Sequence, residues 1–177
     1  MAHPSIARFF EVVTEHRKIL NLPGSPTGRL TSIWAKVMVF PQTLAPVLVL
    51  LGVPVLDVML IFLARFAAMH VVWLLDRYMP YTRALGLCHL VTFGPLFVYF
   101  SVEFTSVHAN WGVFGPLFLF FYATIAACLY MDLRDLVLHM AGQPFPAYMR
   151  DHHRNGHITI DDPRIEEPVT NFKRLFW

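Results

Sequence analysis

The chain has 177 residues, 56% of them apolar and 15% charged, with a mean hydropathy of +0.51 and a formal net charge of +2. That length allows one domain, and so small a positive charge argues against a nucleic-acid partner. A charged share about ten points under the usual soluble value points instead to an all-α, polytopic integral membrane protein.

At the N-terminus Ser5 can cap a helix on which Ile6, Phe9, Phe10, Val13 and Leu20 recur at helical spacing, with Arg8, Glu11, Glu15 and Lys18 elsewhere on the circumference. Such an amphipathic helix is expected to lie in the membrane interface; docking on a partner subunit would require the same pattern. The string Asn21–Gly28 reads as a breaker-rich linker that ends it. Residues 1–30 are polar enough to stay in water. The first apolar stretch is too long for a signal peptide and no small-residue cleavage site follows it, so an uncleaved anchor is expected.

Four apolar stretches follow, at about 31–51, 55–75, 84–101 and 112–131, making a membrane domain over 31–131. In the first, Pro41 and Pro46 each remove a backbone donor and free the carbonyl four residues earlier. With Gln42 and Thr43 between them they predict a kink facing protein rather than lipid. Broken helices of this kind line transporter sites, although prolines are also ordinary in spans. Gly52–Val53–Pro54 reads as a tight turn. A competing segmentation joins 41–64 into one span, with Arg65 as its stop signal and 66–75 as an interfacial helix, giving three spans. Phe93–Phe97 and Phe114–Phe118 share one short string; Pro95 kinks a helix interior where Thr92 can satisfy a freed carbonyl, whereas Pro116 sits harmlessly in a first turn. From Asp132 a helical continuation leaves the membrane and ends at Gly142 and Pro144. The rest of 132–177 reads as a polar tail with little helix signal. Its last residues, Phe172–Trp177, mix aromatic and basic groups suited to headgroups.

Every one of the 14 lysines and arginines except Arg65 falls on one side of this four-span threading. Short loops rich in Lys and Arg stay cytoplasmic, so both termini are expected in the cytoplasm. Cys88 and Cys128 lie near the cytoplasmic ends of their spans, on the reducing side and without a C-x-x-C pattern, and read as small residues in helix packing.

Arg65, in mid-span, is the first candidate site. Charge there costs at least ~2.5 kcal/mol and marks a functional or pairing position. It can meet an anionic ligand, a lipid headgroup or a partner's carboxylate, or bond carbonyls freed by the prolines; Asp57 is within its reach only through water. The lack of an internal counter-ion points toward a partner chain. His70 and His89 form the second candidate, at matched depth about 9 Å inside the cytoplasmic boundary. They could ligate a b-type haem or contact a quinone, though a haem would force the two helices apart beyond the usual ~8–10 Å. In the tail, His152, His153 and His157 beside Asp151, Asp161 and Asp162 have the donor types for zinc or iron, and equally those of a solvated surface. At the rim, Asp76, Arg77, Arg83, Asp132, Arg134 and Asp135 read as salt bridges closing the bundle. No Ser–His–Asp order, phosphate loop or catalytic carboxylate pair is present, which points away from an enzyme.

The strings Arg83–Leu90 and Met131–Leu136 resemble small uncharacterised bacterial inner-membrane proteins over the last two helices. That resemblance implies a location in the cytoplasmic membrane and no activity. The expectation is therefore a non-catalytic accessory subunit, scaffold or assembly factor of a larger membrane complex. A small b-type cytochrome or quinone-contacting anchor using His70 and His89 is the alternative, and a transporter or channel component the second.

Overall fold

A computed structural model of the chain describes residues 11, 14–79 and 82–166, with the side chains at 38–41 and 43–46 excepted. Among the described residues there are helices and no strand. Residues 14–20 form α1; the expected Ser5 cap and the apolar positions Ile6 to Val13 lie outside the described residues, as does Phe172–Trp177.

α2 runs over Pro26–Leu50 and so begins ahead of the apolar boundary at 31. The Ser25 hydroxyl accepts from the Gly28 N–H at 3.1 Å, and Pro26 occupies the first position, where a missing N–H costs nothing. Half of the supposed linker is thus a helix start. Pro41 and Pro46 lie inside α2, with their side chains outside the described set.

Gly52, at φ +91°, turns the chain into α3, Val55–Tyr78. The break at 51–54 removes the segmentation that joined 41–64, and it places Arg65 inside α3 rather than at a boundary. A 3-10 turn, Arg83–Gly86, leads into α4, Leu87–Val102. The expected loop after it holds a short helix, α5, Phe104–Asn110. A second 3-10 turn, Gly112–Phe114, leads into α6, Gly115–Met140, in which the fourth apolar stretch and the exit helix are one element. As expected, it stops at Gly142, whose φ is +85°. Three of these, Val55–Tyr78, Arg83–Val102 and Gly112–Met140, are long and apolar enough to cross a membrane. Leu56, Phe62, Val98 and Phe120 on their outer faces are exposed, which suits lipid.

α3 packs between α2 and α4, α4 packs on α6, and α6 returns to α2, closing a ring of four helices. The end where α3 begins and α4 finishes is filled solidly. Phe100 and Phe118 are fully buried, with rings edge to face at 5.4 Å, and Ile61, Trp111, Phe121 and Ile125 surround them. Asp57 is buried here. It accepts from the Trp111 indole N–H at 2.9 Å and the Tyr99 hydroxyl at 3.3 Å, so its partners are these two rather than Arg65. Thr92 does not serve the carbonyl freed by Pro95. Its hydroxyl donates to the Cys88 carbonyl at 2.6 Å, because a helical threonine reaches the carbonyl four residues before its own position.

Up to residue 166 the tail holds more structure than its polarity predicts. α7, Ala147–Arg154, buries Met149 beside Phe145 and Ile165, and Ile19 of α1 packs on this second small core. Ser25 and Thr27 at the start of α2 donate their hydroxyls to Asp151 of α7 at 2.9 and 3.2 Å. Gly28 lets the start of α2 lie close to the end of α1, since an added Cβ would stand 3.1 Å from the Leu20 carbonyl oxygen.

Candidate functional site

Opposite the packed end, the bundle opens. α2 begins there, α3 ends, α4 begins and α6 leaves, so the described lysines and arginines other than Arg65 gather toward this end. Arg83 fixes its architecture. Its backbone N–H donates to the Pro144 carbonyl at 2.7 Å, and its guanidinium pairs with Asp135, which also takes Arg134 at 3.3 Å. The rim salt bridge read from sequence is present between the second link and α6.

Asp132, one turn earlier on α6, takes different partners. His89 Nδ1 of α4 lies 3.0 Å from its Oδ2, and the Cys128 thiol donates to the same oxygen at 3.1 Å. Cys128 Sγ and His89 Nδ1 are 3.6 Å apart. Cys128 and Asp132 share a face of α6 because they are four residues apart. Gly86 permits the approach of α4: a Cβ there would meet Asp132 Oδ1 at 2.7 Å and its Cβ at 3.1 Å. This trio is the group of three or more His, Cys, Asp or Glu side chains, among the described residues, whose donor atoms converge closely enough to hold a metal ion. Reading Cys128 as mere packing missed it, and its four-residue spacing to Asp132 was the available signal.

Next to the trio is a cavity of about 930 Å³ between α1, α2, α4, α6 and the start of α7, near the upper end of the size range of small-molecule sites. Its lining is mostly apolar, with Leu20, Ala35, Val72, Leu85 and Met131 contributing. Arg17, Lys36, Arg83 and Arg134 supply cations, against Asp132 and Asp135. Arg83 and Arg134 are already paired with Asp135, whereas Arg17 and Lys36 have no acidic partner among the described residues. Tyr148 of α7 closes one side, and burial, reinforced by Asp135 nearby, pushes its phenol up to about 12. It is therefore neutral at physiological pH and can donate a hydrogen bond.

The other sequence candidates separate. His70 Nδ1 lies 2.9 Å from the Phe66 carbonyl of its own helix, and its ring packs on Phe66. His89 turns instead to α6, so the two histidines share no partner among the described residues. Arg65 is partly buried in α3 and has no ion-pair partner among the described residues. In the tail, His152 is fully buried and its Nδ1 lies 3.5 Å from that of His157. His153 turns away, with Nε2 3.2 Å from Glu166 and Nδ1 accepting from the Ile160 N–H at 3.3 Å. Adjacency in sequence did not bring the three together.

These features define, among the described residues, a helical protein with three helices long and apolar enough to cross a membrane and a charged cavity at one end. Comparison with protein families, curated proteins and solved structures finds no match to this chain.

Proposed function

We propose that this protein is a four-span membrane protein of the bacterial cytoplasmic membrane, with both termini in the cytoplasm, that binds an amphiphile carrying an anionic head. The observation that carries the reading is the cavity, with apolar walls and two cations, Arg17 and Lys36, that have no acidic partner among the described residues. The gathering of basic residues toward the cavity end supports four spans and this orientation, since such residues stay on the cytoplasmic side. The cavity then sits where headgroups meet hydrocarbon. An apolar chain would fill its interior, the head would face Arg17 and Lys36, and the neutral Tyr148 phenol would donate to a head oxygen. Analysis of lipids retained by the chain after purification in mild detergent tests this. One anionic amphiphile per chain, depleted in an Arg17→Gln/Lys36→Gln variant, is the expected result. A chain that retains only lipid in the proportions of the surrounding membrane, unchanged in the variant, refutes it.

A second reading, an accessory subunit of a larger membrane complex, is favoured by Arg65. A cation within an apolar helix, without a carboxylate among the described residues, suits a partner's acidic side chain. Co-purification of a second membrane protein, lost on Arg65→Leu, supports it; an unaccompanied chain whose Arg65→Leu variant behaves normally counts against it. A quinone remains compatible with the cavity through His89, whereas a haem held by both His70 and His89 finds no support in the partners these side chains take.

A further inference from the structure

We propose that His89, Cys128 and Asp132 form a binding site for a divalent transition metal of the zinc class, with its fourth position open to the cavity. Three unlike donors, an imidazole nitrogen, a thiol sulfur and a carboxylate oxygen, converge from two helices with separations of 3.0, 3.1 and 3.6 Å. A tetrahedral zinc with bonds of about 2.0–2.3 Å sets its ligand atoms about 3.3–3.6 Å apart. The sulfur–nitrogen edge already has that length. The two edges to Asp132 Oδ2 need to open by about half an ångström or less, a small torsion of one carboxylate.

The donor set also balances charge. Binding releases the Cys128 proton and takes from His89 Nδ1 the proton it shares with Asp132; the resulting thiolate and the Asp132 carboxylate together neutralise a divalent ion, with His89 neutral. A neutral complex suits an end of the bundle bordered by apolar walls, where an uncompensated ion would be costly. Mixed nitrogen, sulfur and oxygen donors in a tetrahedral arrangement fit zinc better than calcium or magnesium, which take oxygen.

His89 and Asp132 line the cavity and Cys128 stands behind them, buried. Three protein ligands with one side facing a cavity is the arrangement of an open zinc site rather than a closed structural one. Water, or an oxygen of whatever fills the cavity, would take the remaining position. This site is independent of the amphiphile reading, because its donors meet whether or not the cavity is filled.

Cobalt(II) is the probe, since it takes zinc geometry and its bond to a thiolate absorbs in the near ultraviolet. The full chain, purified in detergent and freed of metal, is titrated with cobalt(II). One equivalent is expected to produce thiolate-to-cobalt charge-transfer absorption that zinc then abolishes. Cys128→Ser is expected to lose this absorption, and Asp132→Asn to weaken binding by about tenfold or more. Cobalt bound without the absorption, or no cobalt bound, overturns the proposal on the unaltered chain alone, whatever the variants do. Absorption that persists in Cys128→Ser and disappears in Cys88→Ser assigns the thiolate to the wrong cysteine, and also overturns it.

Discussion

Gly86→Ala sets two opposing effects against each other, and the structure decides which wins. Gly86 has φ −60° and ψ −23°, which alanine adopts freely. Alanine there restricts the unfolded chain, and with no other change it would stabilise by about 0.4–1 kcal/mol. The added Cβ, however, would stand 2.7, 3.1 and 3.2 Å from Asp132 Oδ1, Cβ and Cγ. The side chain of Asp132 can swing, but its Cβ moves only with α6, so α4 and α6 must part by several tenths of an ångström. Overpacking of this kind costs about 1–3 kcal/mol, and the swing also disturbs the bonds from His89 and Cys128. The net expectation is a loss of about 1–2 kcal/mol, or about 2–4 °C of melting temperature per kcal/mol for a chain of this size. Thermal unfolding of the detergent-solubilised chain measures it. In an Asp132→Gly background all three close atoms are gone, so the same substitution should cost less than half as much. A Gly86→Ala protein as stable as the unaltered chain would show that α4 and α6 do not approach as described.

At the packed end, Trp111→Phe keeps most of the aromatic contact but removes the indole donor from buried Asp57. Leaving that acceptor short should cost about 1–3 kcal/mol, whereas pairing the change with Asp57→Leu should recover much of it; equal melting of the single variant and the unaltered protein would rule out the bond. The docked tail should respond to pH. Burial, and then the neighbouring His157, hold the His152 imidazole below its ordinary value, with Asp151 and the Ile19 backbone acting the other way. The folded state therefore prefers neutral His152, so this stabilisation is present above the unfolded value of about 6.5 and is lost as pH falls through the lower folded value. Protection of the α7 amides against hydrogen exchange, corrected for the intrinsic pH dependence of exchange, should fall on acidification through that range and stay flat in His152→Gln. Protection that is constant from mildly acidic to neutral pH contradicts this.

What the sequence disclosed was what depends on local chemistry. Hydropathy located the apolar helices, Gly52 and Gly142 turned where glycine chemistry predicts, and the Arg83–Asp135 pair was foreseeable because both flank apolar stretches at their charged ends. Ser25–Pro26 was misread because residues that break a helix in its interior also start one. α7 was hidden for another reason. Its polar sequence has little intrinsic signal, and its order comes from docking Met149 and Asp151 onto distant α1 and α2. The trio at Asp132 required the rotation and depth of α4 against α6. That relation rests on Gly86 and on packing at the far end; the four-residue spacing pairs Cys128 with Asp132 but carries no sign of His89.

The place of α7 in the chain has a consequence for how the protein is made. Pro146, Ala147 and Tyr148 complete the cavity, yet they follow Met140, the last residue of the last apolar helix. A ribosome delivers them only after the preceding helices have been synthesised. The packed end around Phe100 and Phe118 needs nothing beyond α6, whereas the cavity waits for α7 to fold back onto Ser25 and Thr27. The cavity is thus completed later in biosynthesis than the packed end, and a nascent chain still short of α7 lacks one of its walls.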